Sequence, residues 1–325
     1  MTLNHYYHLK RLWLYLLLLV TYNAVGFPPE TKHPQSRQVK EPKQQLRLFI
    51  IGNSFSQNAA RYLPQLARES GKELKIGRAE LGGCSLQRHW EIAEAYEADP
   101  NDPKGRQYNG KSLKMLLSEG VWDVVTIQQN SMNSSDVETY RPYARKLYDY
   151  IKQIQPQAEV VLHQTWAYRS DSKNFGLIQK EQHAQTQQEM WEKSRAAYHT
   201  IANELDVRLL PVGDAFWQVS SSAKWGYKPD KAFDFANPVY PNLPDQTNSL
   251  NVGYSWKDNK LGFDSNHANV AGEYLGSLVW YASLFNESPT KIKFVPEKVP
   301  TDFAQYLQKV AKSEVKKVKK ESVKI

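Results

Sequence analysis

Five short apolar runs, each leading into a turn or a helical pattern, constrain this chain more than any other feature. They occupy residues 46–51, 74–79, 122–127, 158–164 and 207–212. Helical patterns fall at 57–70, where Pro64 is expected to kink or interrupt the helix, and at 140–154, 180–205 and 270–285. The second of these places Tyr143, Leu147, Tyr150, Ile151 and Ile154 on one face and stops at Pro156. Strand and helix in alternation predict an α/β fold, a single doubly wound domain with a five-stranded parallel sheet and helices on both faces. Crossovers should be right-handed. That domain is expected over 46–290; a chain of 325 residues can bury one core of this size and need not hold two.

The two ends read differently. Lys10 and Arg11 precede an apolar run at 12–20, followed by the small residues Ala24 and Gly26. That order predicts a signal peptide over 1–26, with an uncleaved anchor as the alternative. The run is too short for a comfortable membrane span, so no stable span is expected after cleavage. Residues 27–45 read as a disordered lead-in rich in Pro, Gln and Lys. Residues 291–325 read as a basic tail, partly helical, which carries much of the net charge of +8. No nucleic-acid motif accompanies it, so no nucleic-acid partner is expected. The single cysteine, Cys84, allows no internal disulfide, and neither CxxC nor HExxH occurs, so no metal site is expected. Secretion without disulfides fits a secreted or periplasmic protein of a bacterial cell envelope.

Two blocks carry chemistry. Gly52-Asn53-Ser54-Phe55-Ser56 follows the first strand and opens a helix. Ser54 or Ser56 there serves either as a helix cap or, at the carboxyl end of a parallel strand, as a nucleophile. Near the other end stands Asp264-Ser265-Asn266-His267, before the last strong helical pattern of the domain. A serine hydroxyl needs a base, for which histidine is suited, and the histidine needs a partner that fixes its tautomer. Asp264 can reach the His267 ring across one turn, or it can simply cap the helix that follows.

Strand–Gly-Asn-Ser at the start and Asp-x-x-His before a final helix resemble the SGNH, or GDSL-like, hydrolase family. Two interior blocks extend the resemblance in the family's order. Gly82-Gly83 follows the second strand, where the family places an oxyanion-hole glycine, and Gly83 fits best. Gln128-Gln129-Asn130 ends the third strand, where the family has an amide side chain. Asn130 fits by position, with Gln128 and Gln129 as alternatives, because the family's Gly-x-Asn-Asp context is missing here. The resemblance implies a flavodoxin-like SGNH fold and a catalytic set of Ser54, Asp264 and His267. It implies an oxyanion hole formed by Ser54, Gly83 and Asn130, and no cofactor.

The expected activity is therefore a secreted serine esterase acting on a small-molecule or glycan ester, with deacetylation of a carbohydrate foremost. A lipid esterase or lysophospholipase is the alternative within hydrolases, and a non-catalytic glycan-binding protein the alternative outside them. Trp166 and Tyr168, after the fourth strand, are candidates to stack on a sugar ring or to pack the core. His89 and Trp90 are candidate pocket residues, and Asp214 a cap or a cleft residue. The segment 217–261 has no clean period and reads as a loop that shapes the cleft or as a surface insertion.

Overall fold

The structure, a computed structural model, describes residues 43–321. The expected signal peptide and nearly all of the expected lead-in lie outside them. β1 (Gln45–Gly52) leads into α1 (Ser54–Ala59) and α2 (Leu63–Glu69), then β2 (Glu73–Glu80), α3 (Leu86–Ala98), α4 (Leu113–Leu117) and β3 (Val124–Ile127). Next come α5 (Tyr143–Ile154), β4 (Glu159–His163) and a small hairpin of β5 (Leu177–Gln179) and β6 (Gln182–His183). α6 (Gln187–Leu205), β7 (Arg208–Leu210) and α7 (Val212–Ser220) follow. A second hairpin of β8 (Asn251–Lys257) and β9 (Lys260–Ala268) precedes α8 (Val270–Leu284) and α9 (Thr301–Glu321).

The central sheet has the order β2-β1-β3-β4-β7, and every neighbouring pair is parallel. This is the flavodoxin-like, doubly wound order, with the strand sequence reversing between β1 and β3. It is the five-stranded parallel sheet expected from the sequence. The period of two along β1 divides the core. Leu46, Leu48 and Ile50 join Val124, Val161 and Leu210 against α1, α2, α7, α8 and α9. Phe49 and Ile51 join Val125, Ile127, Val160 and Leu162 against α3, α4, α5 and much of α6. Each fully buried aliphatic side chain of this kind contributes roughly 1.5–3 kcal/mol. Twelve of the fifteen residues of α8 are buried, which is why its sequence is apolar on all sides.

Several boundaries differ from the sequence reading, each for a local reason. The pattern at 57–70 is two helices, and Pro64 sits in the first turn of α2, where its missing N–H costs nothing. The pattern at 180–205 becomes helical only after Thr186, whose hydroxyl accepts from the Glu189 N–H as an N-cap. The aperiodic segment 217–261 contains the end of α7 and all of β8. The basic segment after 290 folds into α9. Phe303, Ala304, Leu307, Val310, Ala311 and Val315 recur there at helical spacing and are buried in the core shared with α8. Lys309, Lys312, Lys316 and Lys320 occupy the exposed side of that helix. Among the described residues no helix is long and apolar enough to cross a membrane.

Candidate functional site

The carboxyl ends of β1, β2 and β3 hold the first half of the site. At the end of β1, Gly52 sits where a Cβ would crowd its neighbours, 2.4 Å from Ser56 Oγ and 3.1 Å from Gln128 Oε1. Asn53 caps α1, its Oδ1 accepting from the Phe55 N–H at 3.0 Å, and Ser54 becomes the first helical residue. A helix start leaves the first backbone N–H groups without intrahelical partners, so the Ser54 amide has no acceptor within α1. Asn53 also donates to Cys84 O at 3.0 Å, which fastens the Ser54 turn to the Gly82-Gly83 turn beside it.

A buried polar chain supports this turn from below. Gln128 Nε2 donates to Asn53 Oδ1 at 2.6 Å, and Gln128 Oε1 accepts from His163 Nδ1 at 2.6 Å. Burial lowers the His163 pKa to about 3, so the ring is neutral and donates through Nδ1. His89 is buried and neutral for the same reason, its pKa lowered to about 4. Its Nε2 donates to Gly52 O at 3.1 Å and its Nδ1 accepts from Tyr108 at 2.7 Å. Neither histidine reaches the site surface. Trp90 packs edge-on against Tyr150 at 6.1 Å.

The second half comes from the β8–β9 hairpin. Gly253 pairs with Asp264 and Asn251 with Ala268, so two steps along β8 oppose four along β9. The surplus residues bulge, and the bulge turns Asp264 and His267 to the same side. His267 Nδ1 then donates to Asp264 Oδ2 at 2.8 Å, and His267 Nε2 lies 3.0 Å from Ser54 Oγ. Asp264 Oδ1 accepts from the His267 and Asn266 amides at 2.9 and 3.1 Å. Burial alone would raise the Asp264 pKa, but these bonds outweigh it and hold the carboxyl below its ordinary value. The same Asp264 bond lifts His267 above the ordinary histidine value against opposing burial.

Gly83 and Asn130 meet beside the serine turn. Gly83 is exposed at φ +62° in the turn between β2 and α3. Asn130 Nδ2 donates one hydrogen to Gly83 O at 3.1 Å, while its Oδ1 accepts from Asn133 N. The two alternatives named from the sequence are committed elsewhere. Gln128 belongs to the buried chain described above. Gln129 accepts from the Leu86 and Asn130 amides and donates to Thr139 O. Of the three amides only that of Asn130 is partly exposed.

Trp166 and Tyr168 do not form a sugar-stacking wall. Trp166 is 1% exposed, with Phe55 stacked at 4.3 Å and Phe216 at 4.4 Å. Its indole N–H donates to Asn266 O, so it packs the core and steadies the histidine bulge. Tyr168 is also buried, its hydroxyl on Ser131 Oγ at 2.9 Å. Asp214 lies buried in the first turn of α7, accepting from Gln164, Trp191 and Arg195.

Two positioning residues escaped the sequence reading. Asn58 joins the serine helix to the end of β9, accepting from Ala268 N and donating to Glu273. Arg169 is 2% exposed; its amide donates to Ser265 O in the bulge at 2.9 Å, and its guanidinium pairs with Asp171 at 2.7 Å. The same guanidinium lies over Tyr227, Phe263 and Tyr254 at 4.2, 4.9 and 5.3 Å. The one available signal was the aromatic density of residues 227–263. Among the described residues no three His, Cys, Asp or Glu side chains converge as a metal site would require.

The family described as a domain of unknown function, DUF4886, matches residues 47–226. Among solved structures, a DUF4886 family protein from Bacteroides uniformis is 21% identical with a TM-score of 0.63, covering 83% of this chain and 94% of its own. A candidate SGNH hydrolase from Slackia heliotrinireducens is 19% identical at a TM-score of 0.43, covering 74% of this chain and 99% of its own. A candidate GDSL-like lipase from Parabacteroides merdae is 14% identical at 0.41, covering 74% and 96%. The first likeness shows the fold; the other two superpose too loosely to add to it. No curated protein matches the chain.

Proposed function

The chain belongs to the DUF4886 family, and from that premise, since the family's description assigns no activity, we propose from the site itself that it is a serine esterase. The observation that carries this reading is the continuous relay Ser54–His267–Asp264, with contacts of 3.0 and 2.8 Å, beside the exposed Gly83 turn and the Asn130 amide.

In the proposed reaction Ser54 Oγ attacks an ester carbonyl while His267 Nε2 takes the hydroxyl proton. Asp264 holds the imidazole by Nδ1 and stabilises the imidazolium that forms. The carbonyl oxygen gains the negative charge and is received by the Ser54 and Gly83 amides and by the second hydrogen of Asn130 Nδ2. Collapse expels the alcohol, which leaves with the proton from His267. Water then attacks the acyl-serine by the same route and releases the acid. No step calls for a cofactor.

A carbohydrate ester is the proposed substrate, and the cell envelope or its exterior the proposed location. Nine Trp and nineteen Tyr and the amino-terminal signal pattern support this. A lipid ester is a second reading, favoured by the exposed side chains of Phe235, Val239, Tyr240 and Leu243 in the segment before β8.

The test is hydrolysis of p-nitrophenyl acetate by the full chain, beside Ser54→Ala and a fluorophosphonate label. Turnover and labelling that both vanish in Ser54→Ala support the esterase reading. A folded wild-type protein that neither labels nor turns over overturns it. A rate that climbs steeply from acetyl to octanoyl esters favours the lipid reading over the carbohydrate one.

A further inference from the structure

Away from the Ser54 relay, α6, α7 and α9 enclose a cavity of about 270 Å³. Ligand sites for small molecules run from about 300 Å³ upward, so this one suits a single small ring. Trp191 and Trp217 form one wall, their rings stacked at 4.8 Å and 15°. Asp214 and Glu314 also line it, each more than nine-tenths buried. Two paired carboxylates and two partly exposed indoles on one concavity are more than core packing requires, since a core would have closed over them with aliphatic residues.

The charges decide what chemistry fits. Asp214 is paired with Arg195 at 3.3 Å and Glu314 with Lys317 at 2.7 Å, so the lining holds two acids and two bases. A cationic or anionic ligand would leave one of these pairs out of balance in a partly desolvated space. A neutral ligand with many hydroxyls would not. Its hydroxyls can donate to the carboxylates and accept from the cations, and its C–H faces can lie on an indole. Glu314 offers the clearest acceptor: Lys317 takes Oε1, which leaves Oε2 without a hydrogen-bond partner among the described residues. Burial, with the Asp214 carboxylate nearby, raises the Glu314 pKa despite Lys317.

We infer that this cavity is a second binding site, for one neutral sugar residue, with Trp217 as its apolar wall and Glu314 as its hydroxyl acceptor. It would hold a glycan at a distance from the relay, anchoring a polymer without taking part in ester cleavage. The inference rests on this cavity alone and stands or falls separately from the role proposed for Ser54.

The test is titration of the full chain with methyl β-D-glucopyranoside, methyl β-D-galactopyranoside and methyl α-D-mannopyranoside, read by saturation-transfer NMR and tryptophan fluorescence. Acetate and ethanolamine serve as charged probes. The expected result is saturable binding of at least one glycoside, equal in Ser54→Ala and abolished in Trp217→Ala. In Glu314→Gln, an isosteric change that keeps the fold if Trp217→Ala does not, affinity should fall about tenfold, the loss of one hydrogen bond to a charged group. Binding of none of the three glycosides by folded wild-type protein would overturn the inference. So would glycoside binding that survives both cavity variants, that disappears in Ser54→Ala, or that is matched by either charged probe.

Discussion

Asp264 and His267 lie three residues apart in one strand, and their side chains meet at 2.8 Å because β9 carries two more residues than β8 across that interval. In a regular strand residues i and i+3 face opposite sides. The bulge removes that opposition, and Asp264 Oδ1 locks it by accepting the Asn266 and His267 amides. The carboxylate thus holds both the ring and the backbone that carries the ring.

This double role gives a pH prediction. In the proposed reaction His267 must be neutral to accept the Ser54 proton, and its bond to Asp264 raises its pKa. The acid limb of kcat/KM should therefore lie above the ordinary histidine value. In Asp264→Asn the limb should move to lower pH, and kcat should fall by roughly a thousandfold to ten-thousandfold. A pH–rate profile of the variant with an unmoved limb would show that Asp264 does not tune the base.

Asn130 and Gln129 should separate cleanly. Asn130→Ala should lower kcat about a hundredfold to a thousandfold with little change in Tm, as for a lost oxyanion donor. Gln129→Ala strands the Leu86 and Asn130 amides and should cost about 1–3 kcal/mol of stability per stranded donor. Kinetics and thermal melts of both variants check the assignment. A large kcat loss in Gln129→Ala at unchanged Tm would move the third donor to that residue.

Arg169 should act through placement of the bulge. Arg169→Lys keeps the charge beside Asp171 but loses the planar fork that reaches Gln246 and the aromatic rings. The expected outcome is a kcat about tenfold to a hundredfold lower with KM for a small ester unchanged, as a displaced base would give. Equal kcat in folded variant and wild type would reduce Arg169 to a structural residue.

Gly52 should be intolerant of a side chain. Gly52→Ala drives its Cβ to 2.4 Å from Ser56 Oγ and should destabilise by about 1–3 kcal/mol. The double variant Gly52→Ala/Ser56→Ala removes the nearest atom and should recover part of that loss, a coupling read from denaturant unfolding. Strict additivity of the two changes would refute the clash.

On α9, Leu307→Ala should cost about 2–5 kcal/mol, the range for a fully buried leucine, whereas Lys309→Ala on the exposed side should stay within about 0.5 kcal/mol of wild type. Urea midpoints decide. Two small, equal changes would detach this helix from the core.

The sheet was legible in the sequence because a buried parallel strand has to be apolar along its length. The interior strands β3 and β4, buried along nearly their whole length, show this most plainly. The edge strand β2, with Lys75 and Arg78, was legible from its alternation and position. Ser54, Asp264 and His267 were legible as candidates because each stands at a strand end or before a helix, whereas Gly83 and Asn130 were named only through the resemblance to the SGNH family. What those residues could not reveal was how Asp264 and His267 come to one side, since that depends on the count of residues in β8 opposite β9. Trp166 was ambiguous for a similar reason: a tryptophan at a strand end stacks on ligand or on core according to what arrives against it, and here Phe55 and Phe216 arrive. The same holds for α9, whose lysines suggested a solvated tail while its apolar face awaited α8. Local sequence determined the elements and the exposed ends of the strands. Only tertiary structure decided which side chains, distant along the chain, would meet, because burial and hydrogen-bond partners are supplied by segments whose approach no local pattern records.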